Sequence, residues 1–213
     1  MNNLSQRLLL ALYLATPMLA QAQDGNAALY DAVAPAGSAF VRMLNLTGNG
    51  SELMVSGKSA AQKVGAGQLG NYQFVAPGAH KLSAGSTSLQ TDLKANSATT
   101  LIFDGQQLKP IADTYSEDSK KALIAFYNLT DKPLSLKTVD GKHAVVESVP
   151  SGQSGSRPVN EIKIGFAAYA GEQSLAKFDE LFLKKGRSYS YLVIPDGAGV
   201  RTISSMNGLD SIK

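Results

Sequence analysis

An apolar run ending in Asn-Leu-Thr occurs twice in this chain. Phe40-Val-Arg-Met-Leu-Asn-Leu-Thr47 returns as Leu123-Ile-Ala-Phe-Tyr-Asn-Leu-Thr130, offset by 83 positions. The correspondence continues in order, with Gly57-Lys58 against Gly141-Lys142 at offset 84 and Val64-Gly-Ala-Gly-Gln-Leu-Gly70 against Val149-Pro-Ser-Gly-Gln-Ser-Gly155 at offset 85. Further matches are Ala84-Gly85 with Ala170-Gly171, Ser88-Leu89 with Ser174-Leu175, and Thr99–Asp104 with Tyr189–Ile194. An offset that drifts one residue at a time belongs to loops of differing length. Two copies at so long a period are a duplicated domain, not a solenoid.

Within each copy the pattern is that of short strands punctuated by Gly, Asn, Pro and Ser. The first copy predicts strands at 39–46, 52–56, 70–75, 80–84, 87–93 and 99–103. The second predicts 122–128, 134–139, 144–149, 162–170, 173–178, 181–183 and 188–195, with another at 201–204. The first strand of each copy is apolar on both faces, which suits a central strand covered on each side. No long stretch carries an amphipathic helical period. The fold class expected is all-β: two tandem, duplicated antiparallel β-sandwich domains. The junction falls in 104–121, where Pro110 and the polar run Ser116–Lys121 interrupt the pattern, allowing at most a short helical turn. The organisation expected is a signal peptide over 1–22, an N-terminal arm over 23–38, domain 1 over 39–113, a linker over 114–121 and domain 2 over 122–213.

The N-terminus has the order of a secretory signal: Arg7, the apolar run Leu8–Ala15, Pro17, then Ala20-Gln21-Ala22 as the cleavage triplet. That run is shorter than the roughly 20 residues needed to cross a bilayer, so a membrane anchor after cleavage is not expected. The expectation is export to the periplasm. With no cysteine in the chain, neither lipidation on an N-terminal cysteine nor disulfides are available, and stability must come from packed sheets. Residues 23–117 carry 6 basic and 7 acidic groups, residues 118–213 carry 13 and 10. This asymmetry is too weak for the concentrated basic stripe of a nucleic-acid binder, though it favours an anionic polymer or an acidic partner for the second half.

The inventory for catalysis is thin. There is no Cys nucleophile and no Gly-x-Ser-x-Gly elbow; Ser151-Gly-Gln-Ser-Gly155 misses the spacing and reads as a turn. Only His80 and His143 could serve as a base, and they sit in non-equivalent loops. No His and carboxylate cluster has metal-ligand spacing, and Asp104 and Asp196 stand alone at strand ends. Gly65-Ala-Gly67-Gln-Leu-Gly70 approaches a dinucleotide fingerprint but no helix pattern follows, so neither cofactor nor metal is expected. Asn45-Leu-Thr47 and Asn128-Leu-Thr130 satisfy a glycosylation consensus, yet each closes an apolar strand and reads as structural. Two features remain as candidate partner or glycan contacts: the arm with Tyr30 and Asp31, and the basic set Arg157, Lys184, Lys185 and Arg187, whose guanidinium groups suit a carboxylate on a partner or a uronate.

The signal peptide, Ala28-Leu-Tyr-Asp31 followed by Pro35, the strand Ala39-Phe-Val-Arg-Met-Leu-Asn45 and the repeated cysteine-free β-domain together resemble the AlgF family of alginate biosynthesis. The resemblance spans essentially the whole mature chain and rests on overall order, not on a catalytic motif. It implies a place in the periplasmic machinery that O-acetylates mannuronate residues of alginate. There the partners are a membrane-bound O-acyltransferase and periplasmic SGNH-hydrolase-like acetyltransferases that carry their own Ser-His-Asp sets. The expectation is therefore a non-catalytic adaptor; the alternatives are a carbohydrate-binding module that holds the anionic polymer, suggested by the basic second half with its eight Phe and Tyr residues, and an acetyl transferase or esterase in its own right.

Overall fold

The computed structural model describes residues 34–210 of the chain; the expected signal peptide and most of the arm, including Tyr30 and Asp31, lie outside them. Strands of the first copy are β1 (Ala39–Asn45), β2 (Ser51–Val55), β3 (Gln62–Val64), β4 (Gln73–Val75), β5 (Gly78–Ala84), β6 (Thr87–Leu93), β7 (Ala98–Phe103) and β8 (Leu108–Asp113). Those of the second are β9 (Ala122–Asn128), β10 (Leu134–Thr138), β11 (Ala144–Val149), β12 (Gln153–Val159), β13 (Ile162–Ile164), β14 (Phe166–Ala170), β15 (Gln173–Lys177), β16 (Leu181–Leu183), β17 (Ser188–Asp196) and β18 (Gly199–Met206). Among the described residues there is no helix.

The duplication is visible strand by strand. Sheets β4-β1-β7-β8 and β3-β2-β5-β6 of the first copy correspond to β12-β9-β17-β18 and β11-β10-β14-β15 of the second, in the same order, with β13–β16 as an added two-stranded ribbon. Each copy departs from a purely antiparallel arrangement at one place: β1 runs parallel to β7, and β9 parallel to β17. The crossover through the second sheet brings the chain back into the first in the starting direction, which no hairpin can do.

Three further differences from the sequence reading have local causes. Leu108–Asp113 is a strand despite Pro110, because β8 pairs only with β7 and lies at the end of its sheet, where a missing N–H is tolerated. The turn read at Ser151–Gly155 is confined to its first residues, and Gln153–Val159 continues as edge strand β12 along the full length of β9. The single strand expected over 162–170 breaks at Gly165 into β13 and β14, which pair in different sheets.

The repeated glycines are explained by geometry. Gly57 and Gly141 close equivalent turns at φ of +86° and +74°, a region side chains with a Cβ avoid. Gly70 and Gly155 instead permit close approach: a Cβ on Gly155 would stand 2.7 Å from Val146 Cγ1 and 3.0 Å from Val149 Cγ2, and one on Gly70 would stand 3.0 Å from Val64 Cγ2. The Asn-Leu-Thr strings are structural in the same way. Asn128 Nδ2 donates to the carbonyls of Lys132 and Val149 while its Oδ1 accepts from Thr130 N–H and Oγ1–H, and Asn45 repeats the device with Asn49, Val64, Gly65 and Thr47. Buried and fully engaged, neither amide is open to glycosylation.

Every residue of β1 and β9 is buried, and the two faces of each strand are buried by different partners. Val41 and Met43 point into the core of the first sandwich with Leu53, Leu82 and Leu101; Ile124 and Phe126 do the same in the second with Leu136, Phe166 and Tyr191. The alternate residues form a third cluster, Leu44, Ile102 and Ile111 of the first copy against Ala125, Tyr127, Leu192 and Ile194 of the second. The result is four stacked sheets, in which the middle two are packed against each other by side chains that alternation points away from their own sandwiches.

Candidate functional site

The interface between the middle sheets contains a buried charge. Alternation on β1 sends Arg42 outward with Leu44, and it is 1% exposed. Its guanidinium donates four hydrogen bonds, each 2.8 Å: Nε to Thr100 Oγ1, Nη1 to Asn207 Oδ1, and Nη2 to both Tyr127 Oη and Ser190 Oγ. Its planar face lies 4.1 Å over the ring of Tyr72, and Tyr72 and Thr100 both donate to Asp113 Oδ2 at 2.6 Å. Ser190 also donates to Asn207 Oδ1, so the cluster is one network. Arg42, Tyr72, Thr100 and Asp113 come from the first copy, and Tyr127, Ser190 and Asn207 from the second. A single side chain therefore ties the two sandwiches by three bonds across the joint.

The electrostatics fit that role. Burial pushes the phenol of Tyr72 well up, with Tyr127 adding to the effect and Arg42 opposing it; burial likewise raises Tyr127. Both phenols stay neutral through the physiological range and present hydroxyls to the cation and carboxylate. By register, Arg42 beside Thr100 corresponds to Ala125 beside Ser190, so the duplicated position holds a cation in one copy and a small residue in the other, as a pseudo-symmetric joint requires. Its rims are sealed in both senses: Ser154 of β12 donates to Ala112 O of β8, while Tyr72, just before β4, exchanges backbone bonds with Gly208 and Asp210 after β18. Arg42 was missed as a functional residue in the sequence; a lone charge inside an otherwise apolar strand was the available signal.

The residues considered for catalysis do not assemble into a reactive set. His80 Nδ1 lies 3.5 Å from Ser56 Oγ, too long for an activated nucleophile, and its Nε2 is held at 2.7 Å by the Ala76 carbonyl, where a triad would have a carboxylate. The carboxylate of Asp104 is held below its ordinary range chiefly by the N–H groups of Gln106 and Gln107, a turn-closing arrangement. No group of three or more His, Asp or Glu side chains among the described residues has metal-binding geometry.

The basic set is divided by the fold. Arg157, on β12, lines a groove of about 630 Å³ together with Lys121, Lys142 and His143, and its Nη1 donates to the Ala144 and Val145 carbonyls of β11. Arg187 borders a smaller recess of about 160 Å³ with Glu117 and Asp118. Lys184 and Lys185 line neither; they form the turn after β16, where Lys184 N–H donates to Tyr189 Oη and Lys185 N–H to Glu161. Lys121 and Lys142 were not singled out as contacts by the sequence, and His143 was considered only as a base, since the three converge only through the fold. Tyr30 and Asp31 lie outside the described residues.

A tandem, internally duplicated β-sandwich protein with a polar interdomain lock is the class that fold and site define. Comparison with known proteins gives the family. Residues 11–190 match the family described as "Alginate O-acetyl transferase AlgF". The chain is 35% identical over 163 residues to the alginate biosynthesis protein AlgF of Azotobacter vinelandii, covering 76% of this chain and 75% of that one. It is 34% identical over 180 residues to AlgF of Pseudomonas aeruginosa, covering 84% and 82%. Among solved structures, the C-terminal domain of AlgF from P. aeruginosa aligns over 41% of this chain and 99% of its own, at 28% identity and a TM-score of 0.39. The chain belongs to the AlgF family, whose members act in alginate biosynthesis and O-acetylation.

Proposed function

We propose that this chain is a non-catalytic periplasmic adaptor required for O-acetylation of the mannuronate residues of alginate. It bridges the SGNH-like acetyltransferases and, through them, the membrane-bound O-acyltransferase. The observation that carries the reading is the four-sheet stack locked at Arg42, which holds the outer sheets β3-β2-β5-β6 and β11-β10-β14-β15 at fixed positions on opposite sides. Two surfaces at a fixed spacing raise the effective concentration of whatever each binds. The loose Ser56–His80 pair, held by a backbone carbonyl, supports leaving the chemistry to the partners. The signal-type order of the N-terminal residues supports the periplasmic part of this reading.

The experiment is deletion of the gene with measurement of acetyl groups per uronate in the secreted polymer. Acetylation should fall and return on complementation; unchanged acetylation would sink the adaptor reading. The second reading, a module that holds the polymer directly, draws on the cationic groove. It loses its other support, because seven of the eight Phe and Tyr residues of the second half are buried and only Phe182, 47% exposed, offers a ring to a sugar. Titration with polymannuronate oligomers at low salt, where screening is weak, should give a flat curve; saturable binding would favour the module.

A further inference from the structure

The duplication supplies an internal control for the groove beside Arg157. The first sandwich has an equivalent depression of about 390 Å³, whose lining includes Ser38, Lys58 and Val75, the counterparts of Lys121, Lys142 and Val159. There Lys58 Nζ lies 4.5 Å over the ring of Phe74, its charge already engaged. In the second sandwich three cations, Lys121, Lys142 and Arg157, border the groove; Lys142 lies 3.9 Å from Asp140 beside it and Lys121 donates to Asn160, but no carboxylate lines the groove itself. Its wall is the β13–β16 ribbon, which the first copy folds without. Cations and ribbon are therefore additions to the fold and not requirements of it.

The additions have a definite chemistry. Ile162 and Ile164 of the ribbon line the groove with Val159, and Ile162 is left 45% exposed. The bordering strands β11 and β12 each end their sheet, with one backbone edge unpaired by any strand. The hydrogen bonds of Arg157 to the Ala144 and Val145 carbonyls both use Nη1, which leaves Nε and Nη2 as further donors at the groove. The one Phe, Tyr or Trp side chain in the lining, Phe166, is 2% exposed and presents no stacking face. An aliphatic floor and a cationic rim, beside strands that end their sheets, fit an extended acidic peptide with aliphatic side chains better than a sugar chain. We infer that this groove is the docking site for such an acidic, aliphatic-bearing segment of a partner protein. The inference rests on the adaptor reading and names the surface through which the second sandwich works.

The test uses the mature full chain and a fluorescein-labelled nonapeptide of three Glu-Glu-Leu repeats, read by anisotropy. Saturable binding that weakens with salt is expected, with a Glu-Glu-Ser peptide weaker and oligomannuronate giving no measurable binding. Lys142→Glu replaces an exposed cation and leaves the core untouched; it and Arg157→Glu should each weaken binding about tenfold. Lys94→Glu, the same charge change on the first sandwich, should leave binding unaltered. Absence of peptide binding, binding indifferent to both groove variants, or tighter binding of oligomannuronate would overturn the proposal. Complementation separates its failure from that of the adaptor reading. A deletion strain that loses acetylation and regains all of it with the double groove variant refutes the groove alone, whereas a deletion strain that never loses acetylation refutes the adaptor.

Discussion

Replacing Arg42 by alanine should uncouple the two sandwiches. Four hydrogen bonds from a charged donor would be worth about 6 to 12 kcal/mol if each counted fully, but the partners do not all become orphans. Thr100 keeps its bond to Asp113, and Ser190 keeps its bond to Asn207. Tyr127 loses its cation, and Asp113 keeps a buried carboxylate with the nearby positive charge removed. Breaking a buried charged network by deleting one partner typically costs about 3 to 5 kcal/mol, so a loss near 4 kcal/mol is expected, equivalent to a fall in Tm of about 10 °C for a chain of this size. The assay is urea denaturation followed by circular dichroism, with calorimetry in parallel. The parent should unfold in one transition and Arg42→Ala in two, as each sandwich responds separately. Arg42→Lys should recover only part of the loss, because an ammonium cannot reproduce the planar fork. A loss below about 1 kcal/mol, or one transition retained in Arg42→Ala, would refute the idea that this residue couples the domains.

Tyr72 and Tyr127 have raised folded-state pKa values, so their contribution is complete below the unfolded tyrosine value near 10 and is lost as pH rises from there through the folded values. The unfolding free energy should therefore fall above about pH 10, by up to about 1.4 kcal/mol per pH unit for each tyrosine, and the urea midpoint with it; an unchanged midpoint across that window would contradict their burial in the joint. Asn128→Ala removes the amide from the Val149 carbonyl and the Thr130 N–H, while the Lys132 carbonyl keeps the Thr130 hydroxyl, and should cost about 2 to 4 kcal/mol, whereas a loss below about 1 kcal/mol would show the loop relaxing at little cost. Gly155→Ala forces a methyl against Val146 and Val149 and should cost about 1 to 3 kcal/mol by chemical denaturation, while a neutral result would mean that β12 can shift away from the core.

The parts of this fold that are local and duplicated were legible in the sequence. Strands 122–128, 144–149 and 181–183 fall where turn residues and apolar runs place them, and the two-faced burial of Leu123–Tyr127 was readable from its unbroken hydrophobicity, as was that of Phe40–Leu44 apart from Arg42. What was misassigned was the covering: the second face meets the other sandwich, and no single-copy pattern distinguishes a partner sheet from a second core. The parallel pairing of β1 with β7 depends on the route of the whole chain. Strand β8 was hidden by Pro110, and β12 by the Ser-Gly composition around Ser154. The candidate site was less legible still. Arg157 was visible as a cation, but Lys121, Lys142 and Arg157 meet only because β9, β11 and β12 converge, and Arg42 finds its partners as many as 165 positions away.

The proposal that this chain assembles acetylation enzymes without performing the chemistry is tested most directly by titrating the purified mature protein against each purified periplasmic alginate acetyltransferase by interferometry, with acetyl-ester hydrolysis by the chain alone measured on the same preparation. The account predicts saturable binding to at least one acetyltransferase and hydrolysis at the buffer rate. No binding to any of them, or turnover abolished by His80→Ala, would contradict it.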